Sequence, residues 1–351
     1  MAGSNKINRR AFGALAAAAL AAPTLAVGAS PAPRMPLIKP PRLRLGDTIA
    51  LVAPGGHTDE AGIALASARI ERLGFKVRHS PNLRAVFGLY GGSVQQRVSD
   101  LHAMFADPQV KAIWCIRGGS GCISILNALD YALIRQNPTI LIGFSDITAL
   151  QLAIYRQAGL VTFHGPVATS SDSPYSNQHL LSVLMDPQPR YVIAMAEENR
   201  ARALQEPQFG VRTLTQGTAE GRLLGGNLSL VSALMGTPYA ADFRDAILFI
   251  EEANEAPYRI DRWMTQLDLA VGFAQAAAVM LGVCQKCVPA DDEPSLSTDQ
   301  TLDLHLKPLR IPAVSGYSFG HIRDQFTLPL GLPARLDTAS QTLTLLEPAV
   351  S

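Results

Sequence analysis

The chain has 351 residues, 48% of them hydrophobic and 17% charged, with 30 Lys and Arg against 29 Asp and Glu. That length makes one large or two medium domains, and the apolar content suffices for a substantial core. Near-balanced charge, with no basic run beyond the extreme N-terminus, excludes the electrostatic footprint of a nucleic-acid binder and points to small molecules as partners.

The first stretch is Asn8-Arg9-Arg10-Ala11-Phe12, followed by an alanine-rich apolar run from Gly13 to Ala22, a break at Pro23 and small residues at Val27-Gly28-Ala29. A basic pair, a weakly apolar core and a small-residue cleavage site make up a twin-arginine export signal, which predicts a periplasmic protein. The run is shorter than the ~20 apolar residues that span a bilayer, which argues against a retained membrane anchor. Residues 1–29 are therefore read as signal and the proline-rich residues 30–42 as an extended tether.

From Leu43 onward the pattern alternates. Thr48–Ala53 is a continuous apolar strand ending at Pro54-Gly55-Gly56, and a helix follows through Ile63, Ala66 and Ile70. Next come a strand at Lys76-Val77-Arg78, a helix from Arg97 to Phe105, and a strand Ala112–Ile116 that runs into Arg117-Gly118-Gly119-Ser120-Gly121. The run Thr139–Ile142 is a further strand, Ile147, Leu150, Ala153 and Ile154 recur at helical spacing, and Gly159–Pro166 is strand-like again, with His164 near its end. This order predicts an α/β protein whose N-terminal domain, residues 43–185, is Rossmann-like with a parallel sheet. Residues 186–210 read as a linker. A smaller mixed α/β C-terminal domain is predicted over 211–345. It opens on a glycine-rich turn, Gly221 to Asn227, before a helix Leu228–Leu234. The strand Ala246–Ile250 ends in Glu251-Glu252, a helix covers Tyr258–Leu267, a strand covers Ala277–Val283, and a last strand leads from Pro312 to Gly320-His321.

Chemistry collects where strands stop. Ser145 sits between an apolar strand and a helix, so its side chain is pushed out at the carboxyl end of the strand and the N–H of Asp146 faces the same way. On the tetrapeptide Gly143–Asp146 alone, a Ser-Asp helix cap is the simpler reading. Gly118 and Gly119 follow the neighbouring strand, where their N–H groups could receive an oxyanion and Arg117 could meet a carboxylate. The glycine spacing fails the dinucleotide pattern and the turn at Gly221 lacks a P-loop lysine, so no nucleotide cofactor is expected. Cys284-Gln285-Lys286-Cys287 has redox or half-zinc spacing, but a complete metal set is missing, and all four cysteines read first as packing residues, with a disulfide as the alternative. His164 either lines the site or closes a turn. Ser145, a carboxylate at Glu251 or Glu252, and His321 together supply the nucleophile, orienting acid and base of acyl transfer.

Taken together, Gly143-Phe144-Ser145-Asp146-Ile147-Thr148, Arg117–Gly121, Gly221–Leu228, Phe249-Ile250-Glu251-Glu252, and Gly320-His321 with Leu328–Gly331 resemble the motifs of the LD-carboxypeptidase family of serine peptidases, from about Leu43 to Leu336. The resemblance implies a Ser-Glu-His triad falling on Ser145, Glu251 and His321, with Glu251 preferred to Glu252 by its spacing to the histidine. It implies a homodimer, no metal or other cofactor, and release of terminal D-alanine from a murein tetrapeptide. A microcin-immunity-type amide hydrolase and a catalytically inactive periplasmic binding protein are the alternatives. The family commonly has an aromatic residue where Ser120 stands and tyrosine where Phe144 stands, so substrate contacts at those two places depart from the pattern.

Overall fold

Short apolar runs flanked by helices bury both faces of a strand, and such runs build the middle of both sheets here. The computed structural model describes residues 35–289 and 294–351. The arginine pair and the apolar run read as an export signal lie outside the described residues. Strands β1 (Thr48–Val52), β2 (Lys76–His79), β3 (Val110–Cys115), β4 (Ile140–Gly143) and β5 (Phe163–His164) belong to a first sheet. Strands β6 (Tyr191–Ile193), β7 (Arg212–Thr215), β8 (Thr218–Asn227), β9 (Ala246–Glu251), β10 (Ala278–Gly282) and β11 (Ala313–Tyr317) belong to a second. Of the last three, β12 (Leu328–Pro329) returns to the first sheet, whereas β13 (Pro333–Asp337) and β14 (Thr342–Leu345) complete the second.

The first sheet has the order β12-β5-β4-β3-β1-β2, parallel except for the β12–β5 pair. This is the Rossmann-like sheet expected from the alternating pattern. The second is mixed and has eight strands to the first's six, in the order β6-β14-β13-β8-β9-β10-β11-β7, with β8 to β11 parallel at its centre. One continuous apolar core runs through both sheets.

Local chemistry sets the helix limits. Asp59 and Ser93 accept N–H bonds at the starts of the helices Glu60–Arg72 and Val94–Ala106, and Ser93 with Gln96 forms a reciprocal capping box. The helix after Ser145 runs Thr148–Ala158 and stops at Gly159 in a left-handed conformation.

Three stretches differ from their sequence reading. Residues 35–42 are docked rather than free, with Ile38 bonded to Gly159 and Val161, and Arg42 to Ser351. Residues 186–210 carry β6, which pairs with β14, and so contribute to the second sheet. Gly221–Asn227, read as a turn, belongs to the ten-residue strand β8. Its glycines serve close approach: a Cβ on Gly225 would lie 1.7 Å from the Phe249 carbonyl oxygen, and one on Gly226 would lie 2.5 Å from the Thr148 side chain.

Candidate active site

Four parallel strands deliver the site at their carboxyl ends: β3, β4, β9 and β11, with His321 four residues past the last residue of β11. Ser145 is the second residue after β4, at φ 64°, a left-handed conformation that a non-glycine residue adopts at a cost of about 1–3 kcal/mol. The strained turn projects Oγ away from the sheet, as at a nucleophile elbow. Beside it, Gly118 packs so tightly that a Cβ there would lie 2.8 Å from the Ser145 Cβ. Gly118 is held in turn by its carbonyl, which accepts the Gly56 N–H at 2.7 Å.

Ser145 Oγ lies 3.0 Å from His321 Nε2, and His321 Nδ1 lies 2.7 Å from Glu251 Oε2. The two residues that meet at the imidazole Nε2 are 176 positions apart in the chain. Gly320 permits this approach, because a Cβ on it would meet Glu251 Oε2 at 2.9 Å. The ring of Phe144 packs against that of His321 at 4.7 Å between centroids, fixing the imidazole plane from the other side.

Electrostatics follow from this packing. Burial acts to push the Glu251 carboxyl up, but the charge and hydrogen bond of His321 outweigh it and hold the carboxyl below its usual range. At His321 burial acts downward, and Glu251 overcomes it, so the imidazole stays above its ordinary value. The pair thus favours a carboxylate that orients an imidazole and stabilises its cation.

Glu252, the rejected neighbour, occupies a separate network. Its Oε1 accepts from Asn227 Nδ2 at 2.9 Å and from the Ala253 N–H at 3.0 Å, and its Oε2 accepts from the Ser229 N–H at 3.0 Å. Burial first, then the charge of Glu251, raises its carboxyl above the ordinary value. Asn227 also donates its backbone N–H to Thr148 Oγ1 at 2.9 Å, tying the end of β8 to the helix that follows Ser145. Sequence reading placed Asn227 only as the end of a turn, so its part in joining the two sheets under the site was missed. The signal that could have found it is a buried amide beside paired acids.

The remaining sequence candidates divide. Gly118 adjoins Ser145, and Gly119, at φ 86°, continues the same loop over Gly56. Asp146 follows the serine, but its buried side chain accepts the Cys122 N–H at 2.8 Å and so anchors the loop after β3 rather than facing the open side. Arg117 is exposed and donates to the His57 carbonyl at 3.2 Å. His164 is fully buried behind the site against Phe144 and Phe249, with neither ring nitrogen bonded among the described residues. Burial lowers it to about 4, so it is a neutral packing ring. All four cysteines are buried and unpaired. Among the described residues no three His, Cys, Asp or Glu side chains cluster as a metal set.

A serine, an imidazole and a carboxylate hydrogen-bonded in series, on strand ends of two α/β sheets, define a site of the serine-hydrolase type. The chain matches the LD-carboxypeptidase N-terminal domain over residues 49–165 and the LD-carboxypeptidase C-terminal domain over residues 220–336. It belongs to the LD-carboxypeptidase family. A probable murein peptide carboxypeptidase of Bacillus subtilis is 37% identical over 314 residues, covering 88% of this chain and 94% of that protein. Among solved structures, the muramoyltetrapeptide carboxypeptidase from Oxalobacter formigenes is 26% identical with a TM-score of 0.73, covering 85% of this chain and 97% of that one. An MccF-like protein from Bacillus anthracis is 29% identical with a TM-score of 0.78, covering 88% and 99%.

Proposed function

We propose that this chain is a serine LD-carboxypeptidase that releases terminal D-alanine from murein tetrapeptides. The observation that carries the reading is the unbroken series Ser145 Oγ, His321, Glu251 Oε2 in a chain of this family. Ser145 attacks the carbonyl carbon of the L-centre that precedes D-alanine while His321 Nε2 takes its proton. The oxyanion is received by the N–H of Asp146 and that of Gly118 or Gly119. Collapse expels D-alanine, whose amine takes the proton back from His321, and a water then cleaves the acyl-serine by the same route. Arg117, exposed at the rim, is the cation for the substrate carboxylate.

The test is incubation of the purified protein with a murein tetrapeptide and, separately, with an aminoacyl-sulfamoyl nucleotide, each with and without a chelator. Release of D-alanine from the tetrapeptide, unchanged by chelator because side chains and backbone N–H groups fill every role, is the expected result. Cleavage of the nucleotide conjugate alone would make the chain a microcin-immunity-type amide hydrolase. Binding of the tetrapeptide without turnover would make the chain a binding protein.

We further propose that the protein works in the periplasm after export on Arg9-Arg10. Replacing both arginines with lysine is expected to retain the precursor in the cytoplasm, measured by fractionation and blotting. Undiminished periplasmic protein in that variant would remove the twin-arginine route.

A further inference from the structure

The cysteines of the C-x-x-C segment follow the end of β10 and line a cavity that the triad does not use. Gly282, Cys284, Lys286 and Cys287 line this cavity of about 280 Å³ together with Arg212 and Asp299. Both residues are buried, Cys284 at 8% and Cys287 at 7% exposure, and both line the cavity. The Cys287 thiol donates to the Gln285 carbonyl at 3.8 Å, within the same turn. The segment between them is tightly tied: Thr298 Oγ1 donates to the Cys287 carbonyl at 2.5 Å, the Asn254 N–H donates to the Gln285 carbonyl at 2.9 Å, and Lys286 takes φ 55°. Two thiols at C-x-x-C spacing on one tied turn, both lining a single cavity, form a dithiol site rather than two packing residues. Cys115 and Cys122 differ, each wholly enclosed and outside this cavity.

We propose that Cys284 and Cys287 form a redox-active dithiol that reacts with low-molecular-weight disulfides entering through this cavity. Cys287 is the attacking thiol. The neighbouring Cys284 thiol holds it below the ordinary thiol range, against burial and the nearby Glu252 and Glu251 charges, whereas Cys287 and burial push the Cys284 thiol up. The Cys287 thiolate attacks one sulfur of R–S–S–R, forming a mixed disulfide and expelling RS⁻. Cys284 passes its proton to the departing thiolate and attacks Cys287 Sγ, expelling the second RS⁻. The two protein thiols are oxidised to one cystine and the disulfide is reduced to two thiols. Because Gln285 bridges Ala253, two residues beyond Glu251, the closed cystine lies on a segment paired with the chain just past the triad carboxylate.

The test uses the native, reduced protein and oxidised glutathione, read by intact mass and by alkylation after denaturation, neither of which depends on peptidase activity. The expected result is a loss of two hydrogens in mass, with two of the four thiols no longer alkylated and the missing pair mapping to Cys284 and Cys287. Cys284→Ser is expected to trap one glutathionyl group on Cys287, and Cys287→Ser to take up none. Four alkylatable thiols after prolonged exposure to excess oxidised glutathione would overturn the proposal, and so would a Cys284→Ser protein that stays unmodified.

Discussion

Ser145→Ala is expected to lower kcat/KM for D-alanine release by about a million-fold, equivalent to roughly 8 kcal/mol of transition-state stabilisation. His321→Ala is expected to cost about as much, and the double variant no more than either alone. A base without its nucleophile, or a nucleophile without its base, contributes almost nothing, so the two losses do not add. Both side chains reach one another across a hydrogen bond at the open side of the sheets, so their removal leaves no core cavity and thermal stability should hold. Ser145→Gly adds a control with the opposite sign for stability, because glycine relieves the strain at φ 64° while abolishing the nucleophile. Initial rates with the tetrapeptide, alongside melting curves, check all four proteins.

The paired acids give the second large effect. Glu251→Gln should lower kcat by about ten-thousand-fold, since an amide facing His321 Nδ1 stabilises neither the required tautomer nor the cation that forms. The pH profile should change with it. The base must be neutral to accept the serine proton, so activity falls as pH drops through the His321 value, which lies above 6.5 in the native protein because Glu251 outweighs burial. With the charge removed, burial prevails and the acid limb of kcat/KM moves to lower pH. Glu252→Gln should instead leave kcat within a few-fold and lower stability by about 1–3 kcal/mol, because the new amide opposes either the Ser229 N–H or the donors at Oε1. Loss of activity in Glu252→Gln with retention in Glu251→Gln would reverse the two roles.

Much of this site was legible because apolar strands that end abruptly in a polar residue announce the carboxyl edge of a sheet. Ile140–Gly143 before Ser145 and Ala246–Ile250 before Glu251 both read that way, and the alternating pattern put the loops after β3 and β4 side by side. What the sequence could not show was pairing made by tertiary contact alone. Leu328–Pro329 becomes a strand of the first sheet only by lying against Phe163 and His164, and two residues carry no periodicity. Tyr191–Ile193 is hidden for the same reason inside a stretch rich in turn formers. Gly221–Asn227 misled in the other direction, since its glycines look like a turn until Phe249 and Thr148 press on them from both sides. The separate bonding of Glu252 depends on Asn227 and Ser229, 25 and 23 residues away, and only the family's spacing to the histidine, not local pattern, set it apart from the acid beside it.

The most direct measurement of the central claim is the mass of the enzyme during turnover. Acid quenching in the steady state with a murein tetrapeptide, followed by proteolysis and mass spectrometry, should find an acyl group equal to the substrate less D-alanine, esterified to Ser145 and absent from Ser145→Ala. D-Alanine release with oxygen-18 from solvent in the peptide product and no acyl group on any serine, even when deacylation is slowed at low pH, would contradict a serine nucleophile.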